Sequence, residues 1–311
     1  MPREFGKTPQ QYLFENDGTG QFKDITSSYG EALQNIGNVY DVTWVDVDDN
    51  GFKDAIVAGH WMPITILLND GESLKKQPSN LEDITGWWNT IEVADFDKDG
   101  DLDIIAGNWG ENTRLTASKQ FPIRLYRNDF DDNGREDPIV TYYYQGKETT
   151  IATKDELVKQ LPFINKEFIS YADFAKASLD EILPAKKLKN ASKKEINTLS
   201  SMYFENQGNG NFEANPLPFI AQVSAVMDMQ IDDFNNDGFL DVFLVGNLYE
   251  ISTQLGRLDG LDGLLLLNDK DGFFTEAEQQ NFNINEAARS ITKLDINNKT
   301  CLLYTSDAAD E

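Results

Sequence analysis

Four nine-residue stretches concentrate more carboxylate than a loop holds without a counter-ion: DVDDNGFKD (46–54), DFDKDGDLD (95–103), DFDDNGRED (129–137) and DFNNDGFLD (233–241). Each has Asp at position one, Asp or Asn at three and five, Gly at six and Asp at nine. Alternate positions turn their side chains to a common centre, glycine permits the sharp turn, and the carbonyl at position seven adds a backbone oxygen. The expected donors of loop one are Asp46, Asp48, Asn50, the Phe52 carbonyl and Asp54. Those of loop two are Asp95, Asp97, Asp99, the Asp101 carbonyl and Asp103. Loop three offers Asp129, Asp131, Asn133, the Arg135 carbonyl and Asp137, and loop four offers Asp233, Asn235, Asp237, the Phe239 carbonyl and Asp241. Oxygen donors in this number, without imidazole or thiolate, suit calcium rather than zinc or copper. About four structural calcium ions are expected, and the four donor carboxylates of loop two should hold theirs tightest.

The flanks say what positions these loops. VYDVTWV and AIVAG surround the first, TIEVA and IIAG the second, AVMDMQI and VFLVG the fourth. All are short and rich in β-branched residues, so each loop joins two strands. An EF-hand would need helices on both sides and Glu at position twelve, where this chain has Val57, Ala106, Val140 and Leu244. A second element recurs after a strand: NDGTGQF (16–22), NDGES (69–73), NQGNGNF (206–212) and NDKDGFF (268–274). Asn-x-Gly supplies the positive φ of a tight hairpin turn. Together these predict four strands per unit, with the acidic loop between strands one and two and the Asn turn between three and four. The fold class is therefore all-β, a β-propeller of four to five four-stranded blades that need not close a ring within residues 1–300.

Residues 153–195 break the pattern. Thr153-x-x-Glu156, Ser170-x-x-Asp173 and Ser192-x-x-Glu195 read as helix starts, and nine lysines face seven acids there. This predicts a short α-helical insertion within one blade. The closing residues 301–311 (CLLYTSDAADE) share no periodicity with what precedes them. With Thr300 they resemble the translation of a transposon-type sequencing adapter, so they are set aside as a non-native tail and the chain is read as part of a longer protein.

On a blade, the connection between strands two and three lies opposite the acidic loops. That face should receive His60 and Trp61, Asn108 and Trp109, and Asn247 and Tyr249, with Trp87 and Trp88 just before a first strand. Indole beside Asn and His suits stacking on a sugar ring or anchoring a protein partner. The competing expectation is that these Trp side chains plug gaps between blades.

Composition narrows the function. The 311 residues carry a net charge of −26 with 40% apolar residues and a mean hydropathy of −0.48. Such a surface repels phosphate backbones and anionic lipid, so no nucleic-acid partner is expected. A single Cys (Cys301) and a single His (His60) exclude a disulfide framework and His-cluster metal sites. No apolar run reaches the ~20 residues of a membrane span. MPREFGKTPQ lacks a signal-peptide core, so either the protein is cytosolic or its natural N-terminus lies upstream. No G-x-S-x-G elbow accompanies His60, which removes a nucleophilic triad, and no catalytic residue is assigned.

The strand–DxDxDGxxD–strand units with their Asn turns resemble the FG-GAP/VCBS repeats of integrin-α-like β-propellers. The stretch from LEDITGWWNTIEVADFDKDGDLDIIAGNWGEN to SMYFENQGNGNFEANPLP is similar to bacterial VCBS-repeat proteins related to cartilage acidic protein, which often carry an ASPIC/UnbV domain. The resemblance covers about residues 8–297. It implies a secreted or outer-surface calcium-binding propeller that recognises protein or glycan and catalyses no known reaction. Departures are the absence of the Phe-Gly and Gly-Ala-Pro signatures from the repeat units and the absent ASPIC/UnbV domain. Two alternatives remain: a glycosidase or polysaccharide lyase on the same scaffold, and a purely structural segment of a larger surface protein.

Overall fold

A computed structural model describes residues 4–251, 255–270, 272–278, 282–284, 286–296 and 299–306. The fold is all-β, built from antiparallel sheets with a small helical part. Contacts divide it into two compact units, one of Thr8–Arg114 and Leu199–Glu311, the other of Met1–Lys7 and Leu115–Thr198.

In the larger unit the chain opens with a hairpin of β1 (Phe14–Asn16) and β2 (Phe22–Asp24). β3 (Asn38–Val45), β4 (Asp54–Pro63), β5 (Thr65–Asn69) and β6 (Leu74–Lys76) then form one sheet in sequence order, with β7 (Thr85–Trp87) added to the far end of β4. β8 (Thr90–Ala94) and β9 (Asp103–Gly107) begin the next sheet.

The smaller unit interrupts that sheet. It holds β10 (Ile123–Asn128), β11 (Asp137–Tyr144), β12 (Lys147–Thr150), five short helices α1 (Lys154–Gln160), α2 (Ile164–Glu167), α3 (Tyr171–Lys176), α4 (Leu179–Ile182) and α5 (Ala185–Lys189), and β13 (Ser192–Ile196). Its sheet runs β12-β11-β10-β13, and Leu157, Ile164, Phe174 and Leu179 pack the helices onto Tyr126 and Ile139. The helices fall at 154–189 between β12 and β13 of one sheet, where the insertion is expected, but the stretch that separates β9 from β14 is wider than residues 153–195 and includes the third acidic loop. That loop and its strand-like flanks imitate a repeat unit, which hides the boundary from a periodicity argument. Thr153 and Ser170 do cap helices, but Ser192 does not. Ser192–Ile196 pairs along β10 as an edge strand with three exposed residues, a place where lysines are tolerated.

The larger unit resumes with β14 (Met202–Asn206) and β15 (Phe212–Pro216), which complete the sheet β15-β14-β9-β8. β16 (Val226–Asp232), β17 (Asp241–Gly246), β18 (Leu264–Asn268) and β19 (Phe274–Glu276) form a third sheet in sequence order. The hairpin of β20 (Ala288–Ile296) and β21 (Lys299–Ser306) follows, so regular pairing extends to Ser306.

Each complete sheet of this unit holds four strands in the predicted order, the first with β7 in addition, and each second strand is buried on both faces, which is why DAIVA, DIIAG and DVFLVG are nearly unbroken apolar runs. The sheets stack face to face through Ile56, Trp88, Ile104 and Phe204 at one junction and Phe96, Tyr203, Leu244 and Phe274 at the next. First strands stand side by side, as in blades. The Ile91 N–H donates to Asp41 Oδ2 at 2.9 Å, Asn89 Nδ2 to the Val226 carbonyl at 2.9 Å, and the Ile291 N–H to Asp228 Oδ2 at 2.8 Å.

Glu92 lies on β8 in this row. Burial and the charges of Asp228 and Asp41 push its carboxyl up to about 7. An acid whose pKa is raised by folding stabilises the fold below its unfolded value, and that contribution is lost as pH rises through about 7. In calcium-free buffer, the Tm of Glu92→Gln is therefore expected to fall less between pH 5 and 8 than that of the parent. Parallel Tm curves would refute this.

Candidate metal centres and the aromatic face

The acidic loops lie between strands, not helices, and position twelve (Val57, Ala106, Val140, Leu244) is buried in every one. Each loop is shaped by its own carboxylates. In loop one the Asn50 N–H donates to Asp46 Oδ1 (3.1 Å) and the Gly51 N–H to Asp46 Oδ2 (2.8 Å). The same position-one contact recurs as Gly100 to Asp95 (3.2 Å), Gly134 to Asp129 (2.8 Å) and Gly238 to Asp233 (2.9 Å). The glycines hold φ between 81° and 100°, where a side chain is strained.

The result is convergence of negative charge. One carboxylate oxygen from each of Asp46, Asp48 and Asp54 lies within 4.8 Å of the other two, and the same holds for Asp95, Asp97 and Asp99 and for Asp129, Asp131 and Asp137. Loop four is not among these groups, because Asn235 stands at its third position. Two oxygens inside the converging sets, Asp95 Oδ1 and Asp131 Oδ1, are buried without a hydrogen-bond partner. An orphaned buried carboxylate oxygen is costly, and a hard cation is the partner that this donor set fits. Burial and the neighbouring Asp99 and Asp95 charges also raise the Asp97 pKa, a strain that a cation would relieve.

Position nine has a further task that the spacing alone does not reveal. Asp54, Asp103, Asp137 and Asp241 are fully buried at the head of their strands. One oxygen of each accepts the N–H of position two: Val47 (2.8 Å), Phe96 (3.2 Å), Phe130 (3.2 Å) and Phe234 (3.0 Å). In the sheets that hold loops one, two and four, the other oxygen accepts the N–H of the Asn that opens the hairpin turn, Asn69 (2.6 Å), Asn206 (2.8 Å) or Asn268 (3.0 Å). That Asn returns its Nδ2 to the position-eight carbonyl of Lys53, Leu102 or Leu240. Acidic loop and Asn turn are thus one joint, and the turn signal in the sequence was half of it. Burial pushes Asp103 up to about 6 despite donors from Asn206, Tyr203 and Phe96.

The aromatic face is mostly closed. Trp61, Trp87 and Trp88 are buried, and Asn108 and Asn247 are buried connectors. Trp88 packs edge-on to Phe204 (5.8 Å) in the core between sheets. Trp61, Trp87 and Trp109 touch in series, with ring centroids 5.4 and 4.9 Å apart. Asn108 Oδ1 accepts the N–H groups of Trp87 and Trp109, while Asn247 Oδ1 accepts the Leu261 N–H. The reason is that β4 continues through Pro63 and recruits β7, so residues read as an open loop are strand. His60 stacks on exposed Tyr40 (3.7 Å) and faces Asn89 Oδ1 (3.0 Å), and burial lowers its pKa to about 4. Trp109 and Tyr249 keep part of their surface, Tyr249 with Arg257 over its ring at 5.0 Å.

Residues 46–106, which hold loops one and two and the strands between them, match the model of the FG-GAP-like repeat family. No curated protein matches the chain. Among solved structures, the V. cholerae biofilm matrix protein Bap1 aligns over 97% of this chain and 66% of its own, with 10% identity and a TM-score of 0.30. The chain therefore spans just under two thirds of that structure. Among the described residues, no helix is long and apolar enough to cross a membrane.

Proposed function

We propose that this is a calcium-stabilised, non-enzymatic recognition module of the FG-GAP/VCBS type, from the subgroup related to cartilage acidic protein, working outside the cell or on its surface. The observation that carries the metal reading is the pair of buried, partnerless oxygens, Asp95 Oδ1 and Asp131 Oδ1, each inside a group of three converging carboxylates. The FG-GAP-like match over loops one and two supports the repeat type and is compatible with an extracellular setting. Loops of this chemistry fill at extracellular calcium, with Kd of about 10⁻⁴ to 10⁻³ M. The ion would be held by Asp46, Asp48 and Asp54, by Asp95, Asp97 and Asp99, and by Asp129, Asp131 and Asp137, with a fourth ion offered Asp233, Asn235, Asp237 and Asp241 in loop four. Its contribution is to neutralise loops that otherwise repel themselves. A protein or glycan ligand would meet the exposed Tyr40 with His60, Trp109 and Tyr249, rather than the buried indoles.

Calorimetry in chelator and in 10 mM calcium tests this. An ion present at ten times its Kd adds about 1.4 kcal/mol per loop, so Tm should rise by several degrees. Equal melting temperatures would sink the metal reading, and turnover of a polysaccharide by the purified protein would sink the non-enzymatic one.

A further inference from the structure

One joint between acidic loop and hairpin turn departs from the others. Two residues past the turn's opening Asn, an N–H donates to that Asn's Oδ1: Gly71 to Asn69 (3.0 Å), Gly208 to Asn206 (2.9 Å) and Lys270 to Asn268 (2.9 Å). All three are left-handed, with φ of 82°, 77° and 79°. Two are glycine, as that conformation favours, and the third is a lysine. Its side chain reaches into loop four: Nζ is 3.6 Å from Asp237 Oδ2, at donor position five, and 5.7 Å from the centre of the Phe239 ring, at position seven. Lys98 of loop two places a second ammonium 4.1 Å from the same ring. In the equivalent place beside loop one, Gly71 lies against the Phe52 ring and brings no charge. Loop three does face a lysine, but Lys187 pairs with Asp132 at position four, outside the donor set.

We propose that Lys270 is a built-in competitor of calcium at loop four, setting the affinity of that loop below those of the other three; this rests on the calcium reading above. The ammonium takes an oxygen of Asp237 that the ion needs and repels a divalent charge at the same spot. The pair is exposed enough, at 54% and 25%, to be displaced, so the loop fills last instead of never. A side chain carried at a position that elsewhere is glycine, and aimed at a donor, is the signature of this role.

Glycine-selective ¹⁵N labelling separates the loops, because Gly51, Gly100, Gly134 and Gly238 each donate to their own loop's first Asp. Under calcium titration of the whole chain, Gly238 should shift at a higher midpoint than the other three. Lys270→Met should lower that midpoint about three- to tenfold and leave the others in place. Lys270→Gly, which restores the residue of the other turns, should do the same, and Lys270→Arg should not. A Gly238 midpoint indifferent to Lys270→Met and Lys270→Gly overturns the proposal while the calcium reading stands. No response from any of the four glycines overturns both.

Discussion

In calcium-free buffer, Asp103→Ala is expected to cost the fold about 3–5 kcal/mol, whereas Asp97→Ala, in the same loop, should change stability by less than about 0.5 kcal/mol. The two carboxylates differ in what they already hold. Asp103 is buried and accepts the N–H groups of Phe96 and Asn206 and the hydroxyl of Tyr203, the last at 2.9 Å. Its removal strands these donors, separates the acidic loop from its turn and leaves a void beside Tyr203, whose ring packs on Phe96 and Phe274. Asp97 accepts a single N–H, from Asp99 at 3.1 Å, and suffers from its neighbours' charge. Without the ion its loss relieves repulsion. With calcium present the order of interest reverses: Asp97→Ala should forfeit much of the calcium-dependent rise in Tm contributed by loop two. Asp103→Asn keeps the shape but turns an amide toward a donor, so an intermediate cost of about 1–3 kcal/mol is expected. Urea unfolding of the three variants in chelator checks the order. Equal costs for Asp97→Ala and Asp103→Ala would mean that position nine is only a metal donor.

That contrast also marks how far the sequence could be read. The nine-position pattern and its apolar flanks were sufficient to place strand, acidic loop and strand, and the Asn-x-Gly turns located the second hairpin of each sheet. These are local signals: a positive φ, a period of two, a run of β-branched residues. The tie between them was not legible, because the Asn69, Asn206 and Asn268 side chains act on carbonyls more than ten residues away in the chain. Bulges at Tyr40 and Met227, each just before an Asp that accepts an N–H of the neighbouring first strand, leave no compositional mark either. The interrupted sheet is hidden for a related reason: β10, loop three and β11 satisfy the local rules for the first hairpin of a repeat unit, though no Asn-x-Gly turn follows them, and the pairing of β9 with β14 shows that they stand outside the series. Ser192-x-x-Glu195 fits a capping box as well as Thr153-x-x-Glu156 does, yet the open edge of β10 claims it.

Trp88→Ala should be the other severe substitution, at about 3–5 kcal/mol, because it empties the junction between two sheets. Trp88 is fully buried among Ile91, Ile104 and Phe204. Its neighbour Gly86 leaves no room for a side chain, since a Cβ there would sit 2.7 Å from Trp88 Cε2. The site is therefore too closely fitted to collapse onto an alanine. The indole N–H, however, is buried without a partner. Trp88→Phe deletes that unsatisfied donor while keeping most of the edge-on contact with Phe204 (5.8 Å), so it should recover more than half of the loss. Trp109→Ala removes a partly exposed ring from the end of the Trp61–Trp87–Trp109 row and should cost less than either variant at Trp88. Thermal unfolding of the three proteins ranks them. A stable Trp88→Ala would release that indole from the core and return it to the ligand-facing set, whereas the expected order leaves Trp109 as the indole of this region with surface to offer a partner.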